Sequence, residues 1–222
     1  MIVDLNYLAT STKAVIKNPN DHIQKKWSIG NYYEAQRNGM LNFIFATENK
    51  GGKFIDIGAS VGNHTLFFAS VMNALEVHSF EPLISSFEHL QENVDLNGFE
   101  TVVCHNVAIG EKEGTCRMET ISEDNIGMTE IREGTETRIV SLDQLDFIEG
   151  YDVIKIDVEH YNEELLKGAK KTFTAGTGSI YIECESIEEL LLTDGYMIEY
   201  GYQRVQGVVL NHTPTYKYIK SL

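Results

Sequence analysis

Proline, cysteine and tryptophan are scarce: the 222 residues contain 3 Pro, 3 Cys and 1 Trp. Cys104, Cys116 and Cys184 are odd in number and far apart, which excludes a disulfide framework and a zinc ligand set. Three scattered thiols predict a reducing, cytoplasmic setting. Basic residues are also short, with 18 Lys+Arg against 33 Asp+Glu and a formal net charge of −15. A field of that sign repels phosphate backbones, so no nucleic-acid partner is expected. Long apolar runs are missing: stretches such as Leu41–Ala46 fall far short of the roughly 20 residues of a membrane span. The first 17 residues have no continuous apolar segment, so neither a secretion signal nor a membrane is expected.

Hydrophobic residues make up 42% of the chain and aromatics 10%, enough for a sizeable core. The length fits one domain. We divide it into a lead-in, residues 1–50, packed on a main domain, residues 51–222. Residues 1–30 show little periodicity. Tyr32, Tyr33, Met40, Leu41, Ile44 and Phe45 then fit one helix face, ending before Gly51-Gly52.

The main domain alternates between the two periods. Phe54–Ile57 reads as a buried strand, Val61–Met72 as a helix and Ala74–Phe80 as a strand. Ile84–Leu96 reads as an amphipathic helix closed by Asn97-Gly98, and Thr101–His105 as a third strand. This β-α-β-α-β order implies an α/β fold with a parallel sheet and right-handed crossovers. Residues 110–141, punctuated by glycines, read as an antiparallel hairpin excursion. Tyr151–Ile156 is then a strand, Glu163–Phe173 a helix, Ser179–Glu183 a strand and Ile187–Asp194 a helix capped by Gly195. Met197–Tyr200, Tyr202–Leu210 and Thr215–Ile219 lie too close together for helical crossovers and predict antiparallel pairing at the sheet edge.

The segment that carries chemistry is FIDIGASVGNHT, residues 54–65: a buried strand, a glycine turn and a helix start. Such a turn lets a ligand lie against backbone near a helix N-terminus. Gly58 and Gly62 are spaced G-x-x-x-G, so the dinucleotide pattern G-x-G-x-x-G is missing, as is a phosphate-loop lysine. Glu81 follows the second strand, 23 residues beyond Gly58, where a carboxylate accepts hydrogen bonds from ribose hydroxyls. A nucleoside without phosphate suits this pair of features. S-adenosylmethionine is such a ligand, with its amino-acid end at Gly58 and Gly62.

The ordered segments FIDIGASVGNHT, SFEP, LQENVDLNG, HNVAIGEKEG, VSLDQL, IKIDVE and LLKGAKKT resemble the motifs of FkbM-type methyltransferases, and Trp27, Tyr33 and Glu34 resemble the W…YE lead-in of that family. The likeness runs from about Trp27 to Glu185. It implies a class I methyltransferase (Rossmann-like) fold: a seven-stranded, mostly parallel sheet with one antiparallel strand near the C-terminus. It also implies that Asp56, Gly58, Ala59 and Gly62 surround the methionine part of S-adenosylmethionine. Glu81 then holds the ribose, and Asn106, Val107 and Ala108 lie against adenine.

Asp157, Glu159 and His160 end the fourth strand, where open α/β sheets bind ligands. They are the candidates for orienting an acceptor and for taking a proton from its hydroxyl. The family reads D-V-E-G-x-E here, whereas this chain has His160 and Asn162 at the fourth and sixth positions. No metal is expected to be required. His64 reads equally as a cofactor contact or as part of a helix cap, and the late tyrosines as core or acceptor platform. The leading expectation is O-methylation of a small-molecule or carbohydrate acceptor. A non-catalytic nucleoside-binding module is the alternative, and a dinucleotide oxidoreductase is disfavoured by the glycine spacing.

Overall fold

The computed structural model describes residues 1–122, 129–146, 150–205 and 213–221. In chain order the elements are β1 (Ile2–Tyr7), β2 (Thr10–Val15), α1 (His22–Trp27), α2 (Met40–Thr47), β3 (Lys53–Ile57), α3 (Asn63–Ser70), β4 (Glu76–Phe80), α4 (Ile84–Asn97) and β5 (Val102–His105). There follow β6 (Ala108–Ile109), β7 (Gly114–Thr120), β8 (Thr129–Glu133), β9 (Thr137–Val140), β10 (Val153–Ile156), α5 (Asn162–Lys167), α6 (Lys170–Ala175), β11 (Ser179–Glu183), α7 (Ile187–Glu199), β12 (Tyr202–Arg204) and β13 (Thr215–Lys220).

Phe54–Ile57 and Val153–Ile156 are buried throughout, the pattern of strands covered on both faces. They pair parallel at the centre of a seven-stranded sheet of order β12-β13-β11-β10-β3-β4-β5. Only β13 runs against its neighbours, pairing antiparallel with β11 and β12. This is the sheet expected from the sequence. The strand order reverses between β3 and β10, and a crevice opens beyond the carboxyl ends of strands at such a point.

The excursion after β5 is a separate four-stranded sheet, β6-β9-β7-β8. Its β7–β8 and β7–β9 pairings are antiparallel, as the hairpin reading required, and β6 adds a parallel pair with β9.

Five readings need correction. Residues 1–30 hold an antiparallel hairpin, β1–β2, and the short helix α1. Its buried face is Leu5, Thr12 and Ala14, and two small residues gave the alternation little contrast. The expected helix over residues 32–45 is confined to Met40–Thr47. Glu34 takes a left-handed φ of 63° and turns the chain before it starts, although Tyr32 is buried as a helical reading also required. The predicted helix Glu163–Phe173 is split into α5 and α6 at Gly168, where a Cβ would lie 1.9 Å from the Gly110 carbonyl oxygen. Finally, α7 runs through Gly195 to Glu199, so Met197–Tyr200 is helix. Thr193 and Met197, four apart, face the core there. The predicted strand from Tyr202 ends at Arg204, and its residues 206–210 lie outside the described residues.

The N-terminal hairpin is held on α4 by asparagine side chains. Lys13 N–H donates to Asn97 Oδ1 at 2.8 Å and Val15 N–H to Asn93 Oδ1 at 2.7 Å, while Asn97 Nδ2 donates to the Lys13 carbonyl. Asn63 binds the segment that follows α1. Its Oδ1 accepts from Trp27 Nε1 and from Tyr33 N–H, each at 3.0 Å, and its Nδ2 donates to the Tyr33 carbonyl. His64 Nε2 stands 3.1 Å from Glu34 Oε2. Among the described residues no helix is long and apolar enough to cross a membrane.

Candidate functional site

The turn after β3 is fixed by backbone. Gly58 and Ala59 both donate to the Phe80 carbonyl at 3.0 Å. Gly58 has φ 78°, and a Cβ there would lie 1.8 Å from the Asp157 carbonyl oxygen. Only glycine lets the ends of β3 and β10 approach this closely. Above the turn opens a cavity of about 400 Å³.

Glu81 lies at the end of β4 and is 7% exposed. Ser60 N–H donates to its Oε2 at 2.7 Å and Leu83 N–H to its Oε1 at 2.8 Å. Burial outweighs these two bonds and pushes the carboxyl up to about 7. Each oxygen keeps acceptor capacity toward the cavity.

Beneath the turn, Lys155 is 1% exposed. Its Nζ lies 3.1 Å from Asp56 Oδ1 and 3.4 Å from Asp157 Oδ2, and donates to the Gly58 carbonyl at 2.8 Å. Burial would lower the ammonium, but Asp56 and Asp157 hold it above its usual range. Burial would likewise raise Asp56, but the Lys155 charge and the Thr65 hydroxyl, 2.7 Å from Oδ2, hold its carboxyl below the usual range.

Part of the cavity lining is acidic. Asp157, Glu159 and Glu183 all line it. Burial, then the hydrogen bond with Glu185, pushes Glu159 up to about 9. Burial, then the Asp157 charge, pushes Glu183 up to about 9. Met118 and Ile131 of the four-stranded sheet and Tyr161 add apolar lining to the cavity.

Of the residues singled out from the sequence, Gly58, Ala59, Glu81, Asp157 and Glu159 line the cavity together. Asp56 lies under its floor, and Gly62 packs against Leu90. Asn106 reaches the site indirectly, its Nδ2 donating to the Glu81 and Pro82 carbonyls. Ala108 is buried in the second sheet and Val107 packs into the core. His160 is set apart from its two neighbours. It takes a φ of 55°, its side chain is 59% exposed, and Nε2 lies 3.4 Å from Glu185 on the rim.

The sequence reading assigned no part to Lys155, Glu183, Ser86 or His22. Lys155 and Glu183 sit within strands whose ends are visible in sequence. Ser86 and His22 line the cavity from α4 and α1, and Ser86 Oγ and His22 Nδ1 are buried without a partner among the described residues. No spacing rule joins these two. Among the described residues no group of three or more His, Cys, Asp or Glu is arranged to hold a metal ion.

This glycine turn, the acid after the second strand of the sheet and the strand order belong to methyltransferases, and residues 56–204 match the model of the methyltransferase FkbM domain. The chain belongs to the FkbM methyltransferase family. No curated protein matches it. Among solved structures it is similar to an FkbM methyltransferase from Methylobacillus flagellatus KT, with 20% identity and a TM-score of 0.56 over 76% of this chain and 43% of that one. The FkbM chain thus spans less than half the length of that relative. It is also similar to M. jannaschii TYW2, solved in complex with AdoMet (12% identity, TM-score 0.51, 99% of this chain and 86% of that one). A third is a precorrin-6y C5,15-methyltransferase from Geobacter metallireducens GS-15 (12% identity, TM-score 0.54, 86% and 94%). At these identities the likeness concerns the fold, and the family assignment rests on the family model.

Proposed function

We propose that this chain binds S-adenosylmethionine in the cavity above Gly58 and methylates a hydroxyl of a small-molecule or carbohydrate acceptor. The observation that carries the reading is Glu81. Its two oxygens are anchored by backbone amides, which leaves it rigid and still able to accept the two hydroxyls of a ribose. Gly58 and Ala59 offer bare backbone for the amino-acid end, beside the side chains of Ser60, Asn63 and His64. Asp56 and Lys155 support this floor from below. Asn106 fixes the Glu81–Pro82 corner, so it positions the adenine side indirectly. The cofactor supplies an electrophilic methyl group on a cationic sulfonium.

Asp157 and Glu159 face the space left for the acceptor. They orient its hydroxyl, and one of them takes its proton. Met118, Ile131 and Tyr161, which line the same cavity, exclude water from it. His160, on the rim, contributes through Glu185 rather than by contact. The acidic lining and the net charge of −15 disfavour phosphorylated acceptors and nucleic acid. The free thiols fit a cytoplasmic setting.

Calorimetry with S-adenosylmethionine, S-adenosylhomocysteine and NAD tests the cofactor. One S-adenosyl ligand per chain is expected. Glu81→Ala should weaken it at least about tenfold, as for loss of hydrogen bonds to a charged group. NAD binding without S-adenosyl binding would overturn the reading. Labelled methyl transfer to a panel of hydroxylated acceptors tests the reaction. Binding without transfer to any acceptor would leave a non-catalytic nucleoside-binding module.

A further inference from the structure

Two buried polar atoms on residues that line the cavity have no hydrogen-bond partner among the described residues. Ser86 is the third residue of α4 and 3% exposed, and its Oγ has no hydrogen-bond partner among the described residues. A serine in a first helical turn usually bonds back to the helix or caps it. This one does neither. His22 is the first residue of α1, with its ring edge-on to Tyr33 at 4.7 Å, and its Nδ1 is buried and unpaired among the described residues. Both residues line the cavity that holds Glu81.

The placement of Ser86 relative to Glu81 is fixed by local structure. Leu83 N–H donates to Glu81 Oε1, and Phe87 N–H closes the first turn on the Leu83 carbonyl. Ser86 therefore rises from the same corner as the carboxylate. Helix α1 is held over α4 by the edge contact of Trp27 with His89, and His89 Nε2 lies 2.7 Å from the Val15 carbonyl oxygen.

A vicinal diol needs two kinds of partner. Its hydroxyl protons need acceptors, and its oxygens need donors. Glu81, once ionised, supplies acceptors only. We propose that Ser86 and His22 are the donor half of a diol clamp, giving hydrogen bonds to the 2′ and 3′ oxygens of the ribose whose protons Glu81 accepts. Ser86 donates through its hydroxyl and His22 through the tautomer protonated on Nδ1. The clamp rests on the nucleoside reading of the cavity and adds a specificity to it: a ribonucleoside with both hydroxyls free. It also brings in a residue, His22, that lies before the segment matched by the family model, 56–204.

Calorimetry with S-adenosylhomocysteine and its 2′-deoxy and 3′-deoxy analogues tests this. Ser86→Ala and His22→Phe should each weaken S-adenosylhomocysteine about five- to tenfold, the usual loss for one hydrogen bond. Each penalty should vanish for the analogue that lacks the hydroxyl concerned. Ser86→Ala should also melt no lower than the parent without ligand, since it removes an unpaired buried hydroxyl. Parent-level binding by both variants, or equal penalties for diol and deoxy ligands, would overturn the clamp while leaving the cofactor reading intact. A parent protein that binds no S-adenosylhomocysteine at all would overturn both.

Discussion

Lys155 Nζ lies 3.1 Å from Asp56 Oδ1, and neither side chain is more than 1% exposed. The pair sits side by side on β10 and β3, which are in register at these two residues. It also carries the Gly58 carbonyl, so the central ion pair of the sheet is tied to the turn that faces the ligand.

Breaking one partner of such a pair leaves a buried charge. Lys155→Met should destabilise the protein by about 3–5 kcal/mol. The double change with Asp56→Asn should recover a large part of that loss. Urea denaturation of the two variants measures both numbers. Additive losses would show that the two side chains do not act as a unit.

Asn63 tests how the first 50 residues are held. Asn63→Ala removes one acceptor shared by Trp27 and Tyr33 and one donor to the Tyr33 carbonyl. A loss of about 2–4 kcal/mol is expected from two or three buried hydrogen bonds. Hydrogen exchange of residues 22–34 should rise with it, while β10 and β11 stay protected.

His160 occupies a left-handed position with φ 55°, which a non-glycine residue adopts at a cost. The family pattern has glycine there. His160→Gly should therefore be neutral or stabilising by up to about 1 kcal/mol in thermal unfolding. Because the ring lies on the rim, methyl transfer should fall less than for Asp157→Asn or Glu159→Gln. A loss equal to theirs would place His160 in the reaction.

The acidic lining makes a pH prediction. Glu159 and Glu183, pushed up to about 9 in the fold from an ordinary value of 4.5, are favoured neutral. Their stabilising contribution is complete below about pH 4.5 and is lost as pH rises toward 9. Glu76 has the opposite sign. Hydrogen bonds from Lys53 and then His78 hold it down to about 2, so its contribution is complete above about pH 4.5 and is lost as pH falls toward 2. Urea midpoints of the unliganded protein should decline between pH 5 and pH 9, and Glu159→Gln with Glu183→Gln should flatten the decline. A cationic sulfonium favours the ionised carboxyls. S-adenosylmethionine should thus gain more affinity between pH 6 and pH 9 than the uncharged thioether S-adenosylhomocysteine.

What was legible in the sequence followed from local chemistry. Phe54–Ile57 has no polar residue except Asp56, so it reads as a doubly covered strand, and Gly58 and Glu81 follow at strand ends where sequence position equals spatial position. The hairpin at residues 2–15 was hidden because its turn holds Leu8 at φ 51° instead of Asn-Gly, and its buried face is mostly Thr12 and Ala14. Gly195 looked like a helix stop, but burial of Met197 against the core carries α7 past it. That His22 and Ser86 line one cavity was invisible for another reason. It depends on how α1 and α4 are brought together, and no periodicity joins residues 64 positions apart.

The asparagine ladder between β2 and α4 joins two different repeats. Four residues of helix rise about 6.0 Å, and two residues of strand about 6.6 Å. The carboxamides of Asn93 and Asn97 therefore recur at nearly the interval of the Val15 and Lys13 amides, and they present a side chain where a neighbouring strand would present backbone. A helix here acts as a surrogate strand. The outer edge of β2 is thereby closed to pairing with a second chain, and Lys13, exposed on the same strand, adds a charge to that protection.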